Sequence, residues 1–525
     1  MINVKDHKTG YLWDQWEHLG PKRRKLLQES WAGLFQDHVL PYLPVERVIP
    51  FFSETMGRPT KELHAMLGVL VLQQLHDLTD TETIQQLAFN IQWHYALNIT
   101  GVSDDEAYTC PKTLWNIRQV VIEHNIDKIL FEQITDHFIK TFDVDTSNQR
   151  LDSVHIKSNM RHLGRIRIIS TTINKFLVNL KRHYLDLYDK LSEELKNRYG
   201  NDKALSVFSL VKPSESNKTL EQVSQDLFDL CQFFKDFPEV QNMNSYALLL
   251  RVLNEQCTIT GNTVAAKPAK EIRSDTLQNP SDPDATYDGH KGKGYQVQVM
   301  ETWSEDNPSL DLITHIEVEK AHESDANALL PAIKETQKRD VMPKEILADS
   351  LYGSDDNIHQ AAQEGVTVIS PVMGKETPLS EFEFSDKGEV ITCPEGCKPV
   401  YHKRKKGRNT VAFDHESCAN CPRLSTCPVK SGKKYRYLRF DDKAHRLAKR
   451  RAREKTDEFK NQYRYRSGAE ATMSDYDRLT GVKQLRVRGF EAVRFCARLK
   501  ALALNIHRIT VFTKQQMMGA MPVLT

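Results

Sequence analysis

The sequence contains no long hydrophobic run: nowhere do the roughly 20 consecutive apolar residues of a membrane-spanning helix occur. A membrane-spanning helix is therefore excluded, and no membrane partner is expected. The opening residues, MINVKDHKTG, carry no apolar signal-peptide core, so a cytoplasmic protein is expected. Cysteine is scarce. Nine in 525 residues are too few for a disulfide scaffold in so long a chain, which points to a reducing compartment. Net charge is also nearly absent, with 72 Lys and Arg against 70 Asp and Glu, so bulk charge does not announce a nucleic-acid binder. Neither an internal repeat nor an extended low-complexity tract is present.

What is present is uneven. At 525 residues the chain exceeds one ordinary core, and two to four domains, or one domain with large insertions, are expected. Pro21 opens a predicted helix over 22–35. Residues 62–78 place Leu63, Met66, Leu67, Val69, Leu70, Leu72 and Leu75 over a wide apolar face. A second helix opens at Asp80-Thr81-Glu82-Thr83, and a third at Thr109-Cys110-Pro111. A helical unit ending in a short turn and a helix can present that helix to a DNA major groove. A plain bundle has the same periodicity, and the pattern leaves both open.

Leu151 to Lys157 reads as a strand whose alternation puts Asp152 on a face with Val154 and Ile156. An acid there is costly unless paired or metal-bound. Asp143 and Asp145 compete for that role, but Asp152 lies within the strand pattern. Residues 159–284 read as helical, with a loop over 262–287. Strands return over 294–303 and 312–319, a helix begins near Asp325, and a third strand over 345–349 ends in Asp349. A short helix over 355–364 and a strand over 366–371 complete a parallel βαβ unit, beyond whose strand ends ligands gather.

Five of the nine cysteines crowd into one insertion, with Cys393, Cys397, Cys418, Cys421 and Cys427 spaced C-x3-C and C-x2-C-x5-C. Two such pairs suit one tetrahedral Zn2+, although there are five thiols for four places, and His402 and His415 are spare ligands. The alternative is a reduced loop without metal. Around it, KRKKGR (403–408) and the basic run over 430–455, interleaved with Tyr435, Tyr437 and Phe440, fit a surface that tracks a nucleic-acid backbone.

The stretch YRYRSGAEATMSDYDRLTGVKQLRVRG (463–489) sets Tyr463, Arg466 and Glu470 in the spacing Tyr-x2-Arg-x3-Glu, so Arg466 and Glu470 share a helix face. By itself that pair reads as a surface ion pair. With Asp152 and Asp349 it makes three hard oxygen ligands of the kind that bind two Mg2+ or Mn2+ ions. A closing helix follows over 490–509.

The ordered motifs resemble the bacterial insertion-sequence transposases with a DDE catalytic core. GRPTKELHAMLGVLVLQQLHDLTDTETIQQLAFNIQWHYAL resembles that family's N-terminal domain, LDSVHIKSN and ILADSLYGSDDN its two Asp strands, and 463–489 its Glu-bearing helix. DPDATYDGHKGKGYQVQV and ESDANALLPAI belong to the same resemblance. It implies an α/β RNase H-like core, a mixed sheet flanked by helices, built from 146–158, 285–374 and 456–512. The other expected parts are a helical DNA-binding domain (1–145), a helical insertion (159–284), a Cys-rich basic insertion (375–455) and a tail (513–525). It makes Asp152, Asp349 and Glu470 the catalytic metal ligands and puts Tyr463 and Arg466 on DNA phosphates. The family places a Lys seven positions after the Glu, where this chain has Asp477. The basic contact then falls to Arg478 or Lys483, with Arg486 and Arg488 further along the DNA-binding stretch. The implied activity is binding of terminal inverted repeats with metal-dependent cleavage and transfer of DNA strands, by an oligomer at the bacterial nucleoid. A nuclease without strand transfer, a non-cutting DNA-binding regulator, and a zinc-dependent interaction module are the alternatives.

Overall fold

The computed structural model describes residues 1–9, 15–101, 103–200, 202–305, 309–385 and 387–519. At its centre is a mixed six-stranded sheet. Its main strands are β1 (Asn148–Lys157), β2 (Gly292–Thr302), β3 (Ile313–Lys320), β4 (Glu345–Ala348) and β5 (Thr367–Ile369), in spatial order β3-β2-β1-β4-β5, and the short strand Thr286–Asp288 joins β2. β1, β2 and β3 are mutually antiparallel along that order, whereas β4 and β5 run parallel to β1. Helix Asp355–Gln363 makes the crossover between β4 and β5. The two-residue alternation of side chains sends Val154, Ile156, Val297 and Val299 to one face and Leu151, Met300, Ile346 and Val368 to the other. Helices cover both faces, giving three layers.

The first face is covered by the N-terminal helices and the last helix, Phe490–Gly519. Leu499, Leu502 and Ile506 of that last helix are fully buried. Asn505 on it pairs with both the N–H (2.8 Å) and the C=O (2.9 Å) of Ile313, closing the end of β3. Helix Leu63–Leu75 has twelve buried positions out of thirteen, including the polar Gln73 and Gln74. It is a central helix of its unit and not a surface helix with one apolar face.

Between β1 and β2 a helical insertion packs its own core around Phe176, Phe234, Tyr246 and Leu249. Buried Asp282 ties the end of this insertion down. Its carboxylate accepts Ser158 Oγ (2.6 Å), Tyr295 Oη (2.7 Å) and the Gly489 N–H (3.0 Å), joining the ends of β1 and β2 to the turn before the last helix. The Cys-rich insertion forms a separate four-stranded sheet.

Several sequence expectations need correction. The helix over 22–35 is two helices, Pro21–Gln28 and Trp31–His38, because Ser30 breaks the first turn and caps the second through the Ala32 N–H. The loop expected over 262–287 contains strand Thr263–Ala266, which pairs with Cys257–Thr260 through Gly261 at φ +59°. The last helix continues to Gly519, ten residues past its expected end at 509, so the tail's first residues (513–519) are helical; residues 520–525 lie outside the described residues.

Candidate active site

The sheet register brings the first two acids together. Leu151 of β1 stands beside Ala348 of β4 in the parallel ladder. The next residues are Asp152, within β1, and Asp349, just past the end of β4, where the ladder stops. The Asp152 side chain is only 13% exposed. Burial raises its carboxyl pKa, Arg466 opposes that rise, and the nearby charges of Asp349 and Asp325 add to it. Asp349 is held by its own loop: Oδ1 accepts the Leu351 N–H (2.8 Å), and its carbonyl accepts Ser370 Oγ–H (2.7 Å).

Glu470 lies in the first turn of helix Ser467–Thr480, where a carboxylate meets the positive end of the helix dipole. Met473 and Tyr476 seat this helix on the same sheet face as Val154 and Ile156. A buried polar network locks it there. Glu301 of β2 receives Arg150 Nε (2.7 Å), Thr472 Oγ1 (2.7 Å) and Arg508 Nη1 (2.8 Å), and Arg150 also donates to the Tyr465 carbonyl (3.1 Å). Every acceptor on this buried carboxylate is thereby paired, as low-dielectric burial requires. Gly468 leaves room for Arg150: a Cβ there would lie 2.0 Å from Nη1.

Arg466 spans the acids. Nη2 donates to Asp152 Oδ2 (3.0 Å) and Nη1 to Glu470 Oε1 (2.7 Å). Glu470 is 70% exposed, so Arg466 and solvent share it. Tyr463 closes the preceding helix, Asp457–Tyr463, and stacks on Phe459 at 5.4 Å; burial, with Asp349, Asp152 and Glu470 nearby, raises its phenol pKa. The other basic residues of the stretch lie away from the acids and have partners of their own. Arg478 meets Asp475 (2.8 Å), Lys483 meets Asp477 (3.7 Å), Arg486 meets Asp77 (2.9 Å) and Arg488 meets Asn159 (3.1 Å). Arg478 is eight residues beyond Glu470, about 12 Å along the helix.

With Arg466 between them, the three carboxylates do not converge on one point. Among the described residues, the group that offers three ligand atoms within 4.8 Å of one another is His7, Glu62 and His64. There Glu62 already accepts the N–H groups of Lys5 (3.2 Å), His64 (3.1 Å) and Ala65 (2.6 Å). That is a helix cap pinning the N-terminal arm.

Sequence reasoning missed the groups beneath the acids. Asp325 is buried, accepts Gln298 Nε2–H (2.8 Å), and faces Lys291 at 3.8 Å. Tyr352 Oη donates to Gln298 Oε1 (2.5 Å). Gln296 and Gln298 alternate with valines as if facing solvent, and only the coverage of both sheet faces shows them to be buried. The basic run was also misread in part. On helix Asp442–Glu454, Arg446 pairs with Asp355, and Arg450 and Arg451 donate to backbone carbonyls, while Phe440 is buried. Lys433, Lys434 and Arg439 remain exposed.

All five clustered cysteines, Cys393, Cys397, Cys418, Cys421 and Cys427, line a single cavity, and all are free thiols. The Cys397 N–H donates to Cys393 Sγ at 3.3 Å. Burial raises the Cys418 and Cys427 thiols. No described helix is long and apolar enough to cross a membrane.

Two family models match the chain. The model described as Transposase DDE domain covers residues 392–510, and the one described as Transposase domain (DUF772) covers residues 34–120. The first includes the cysteine cavity, Arg466 and Glu470, and the second the central helix Leu63–Leu75. Asp152 and Asp349 lie outside both matched segments, and their place rests on the sheet register. No curated protein matches the chain. Transposase models matched in both the N-terminal and the C-terminal part of the chain support an insertion-sequence DDE transposase.

Proposed function

We propose that this transposase recognises the terminal inverted repeats of its own element and cuts and joins DNA strands at a centre made of Asp152, Asp349 and Glu470. The observation that carries the reading is the juxtaposition of Asp152, midway along β1, and Asp349, just past the end of β4, with Glu470 tied across to Asp152 by Arg466. The strand order β3-β2-β1-β4-β5, three antiparallel and two parallel, supports an RNase H-like core.

Transposase DDE domains use divalent metal ions, and the donor set here fits them. Hard carboxylate oxygens suit Mg2+ or Mn2+, and Asp152 is held in a buried position that a neighbouring cation would favour. Asp152, Asp349 and Glu470 would hold two such ions, which when bound activate the attacking oxygen and stabilise the leaving one. The chain's own part is positioning. The sheet fixes Asp152, the Leu351–Ser370 contacts fix Asp349, and the Glu301 network fixes the helix of Glu470. Arg466 holds Asp152 and Glu470, and a turn of its side chain would bring the guanidinium to a DNA phosphate. Tyr463, at the mouth of the same site, supplies a second phosphate contact.

On helix Pro111–Glu123, Lys112 and Trp115 are exposed, with the ammonium 4.0 Å over the ring, and they suit the DNA-recognition role of the N-terminal unit. Arg478, Lys483, Arg486 and Arg488 form a basic continuation along which flanking DNA runs. Cutting two ends together calls for at least two copies of the chain, acting on chromosomal DNA at the nucleoid in the bacterial cytoplasm. In the Cys-rich insertion the thiols that line the cavity would hold one structural Zn2+, which would tie together strand ends that have a small core of their own.

The test uses duplex DNA carrying the sequence that flanks the gene. Asp152→Asn, Asp349→Asn and Glu470→Gln should each abolish Mg2+- or Mn2+-dependent cleavage and leave DNA binding in a mobility-shift assay intact. Normal cutting by any of the three refutes the assignment. A pre-cut end that yields no joined product would reduce the activity to that of a nuclease.

A further inference from the structure

We propose that Arg450, on the helix of the Cys-rich insertion, is a positioning residue for Asp349, so that this insertion braces the second catalytic carboxylate. The proposal rests on the metal-dependent cleavage reading above.

Arg446, Arg450 and Glu454 are spaced by four residues and therefore project from one face of helix Asp442–Glu454. All three reach the chain leaving the C-terminal ends of β4 and β5. Arg446 meets the Asp355 carboxylate twice, Nε to Oδ1 at 3.1 Å and Nη2 to Oδ2 at 2.6 Å. Arg450 donates Nη1 to the Gly353 carbonyl (2.9 Å) and Nη2 to the Ser370 carbonyl (3.1 Å). Glu454 accepts the Val372 N–H (2.5 Å). Ser370 passes the constraint on, since its hydroxyl donates to the Asp349 carbonyl at 2.7 Å. Arg450, Ser370 and Asp349 thus form one continuous relay.

Two features make the relay necessary. β4 has four residues and β5 three, with β5 at the sheet edge, so the sheet itself gives the Asp349 loop few ladder bonds. The loop is also close-packed where Arg450 enters it. A Cβ on Gly353 would lie 2.0 Å from Ser370 Oγ and 3.2 Å from Arg450 Nη2. One planar guanidinium satisfies two carbonyls from two loops at once, which a lysine ammonium does with less geometric control. Both terminal nitrogens of Arg450 are engaged with backbone carbonyls.

Groups that orient metal-binding side chains typically alter metal affinity or activity by about 10- to 100-fold when removed. In the full-length protein, Arg450→Met should raise the Mg2+ or Mn2+ concentration needed for half-maximal cleavage by about tenfold or more. It should weaken Mn2+ binding, read by electron paramagnetic resonance without DNA, to a similar degree, and leave duplex binding in a mobility-shift assay within about twofold. Ser370→Ala, which breaks the relay at its other end, should reproduce the shift, and Arg450→Lys should restore part of it. Lys443→Met, on the same helix but in a long exposed contact with Asp356 (3.9 Å), should leave the metal requirement and Mn2+ binding at their wild-type values. If Arg450→Met does not fold, as judged by circular dichroism, Ser370→Ala and Arg450→Lys carry the test. An unchanged metal requirement in the folded variants overturns the proposal, as does lost DNA binding at an unchanged metal requirement. Wild-type protein that neither binds Mn2+ nor cuts defeats the cleavage reading itself, whereas active wild type with indistinguishable variants defeats the relay alone.

Discussion

Arg498 tests how the N-terminal helical unit is joined to the sheet. It sits on the last helix with 4% of its side chain exposed, and its Nη1 donates to Asp127 Oδ2 at 2.9 Å; Asp127 is 1% exposed, in the first turn of helix Ile126–Thr141. Nη2 also reaches Glu317 of β3 at 3.2 Å, and Glu317 is 37% exposed. The two ends of the pair are therefore unequal. Arg498→Met leaves Asp127 as a buried carboxylate without its guanidinium partner, and its Oδ1 already lacks a hydrogen bond among the described residues. Breaking a buried pair in that way costs about 3–5 kcal/mol, and the helix dipole at Asp127 favours the lower end. Asp127→Asn keeps the shape and leaves Arg498 its bond to Glu317, so the cost is that of a weakened charged hydrogen bond, about 1–3 kcal/mol. Asp127→Leu with Arg498→Met removes both charges, and such replacements are often near neutral. The double variant should thus be more stable than Arg498→Met alone by at least about 2 kcal/mol, against what additivity would give. A chain of this size need not unfold in one step. The readout is the calorimetric and urea transition that carries the sheet and the last helix. A double variant whose loss equals the sum of the single losses, or Arg498→Met no worse than Asp127→Asn, would refute the argument.

Four further outcomes follow from the same geometry. Asp152→Asn should stabilise the metal-free protein by about 0.5–2 kcal/mol while abolishing cleavage, because it removes a carboxylate that burial and two neighbouring acids disfavour; a destabilised Asn variant in calorimetry counts against this. Burial pushes Asp311 up to about 6, so the folded state holds its proton better than the unfolded chain, and stability should fall as pH rises from about 4 to about 6. At about 1.4 kcal/mol per pKa unit the change is bounded near 3 kcal/mol, and Asp311→Asn should flatten that limb of the stability–pH curve. Gly468→Ala should cost about 1–3 kcal/mol and lower cleavage sharply, since its Cβ meets the Arg150 guanidinium that holds the Glu470 helix; wild-type activity in this variant would show that the contact is slack. Purified protein should carry about one zinc per chain by elemental analysis, and Cys418→Ser with Cys421→Ser should lose it and lower the melting transition of the insertion; an unaltered metal content would leave a reduced, metal-free loop.

How much of this was legible depended on the range of the interaction. Alternation along β1 marked Asp152 as an acid on an apolar face, and the βαβ rhythm put Asp349 at a strand end. Those are local signals, and they made the two residues candidates. That the two stand side by side depends on the register of Leu151 against Ala348, between segments almost 200 residues apart, which no local pattern encodes. The spacing of Arg466 and Glu470 foretold their contact, but not that the same guanidinium would also reach Asp152. The leucine-rich stretch 62–78 read as one apolar face because its glutamines look solvent-facing; Gln73 is buried and satisfied by Asp80 and Arg118, which come from elsewhere in the fold.

The basic insertion shows the limit most clearly, because charge in a sequence has a sign but no addressee. Arg446, Arg450 and Arg451 belong to a run that composition assigns to DNA, yet their donors end on Asp355 and on the carbonyls of Gly353, Ser370, Met373 and Gly374. Drawing Arg450 off the carbonyls of Gly353 and Ser370 to meet a phosphate would leave part-buried acceptors unpaired. On the proposed DNA-binding reading, the charge open to a phosphate includes the exposed Lys433, Lys434 and Arg439 and the 403–408 hairpin. It follows that two classes of arginine sit within one run of sequence. Neutralising the exposed set should weaken DNA binding with a reduced dependence on salt, while neutralising the helix set should alter the metal requirement at unchanged salt dependence. A single measurement of binding against salt, made on one variant of each set, separates them, and matching slopes for the two would undo the division.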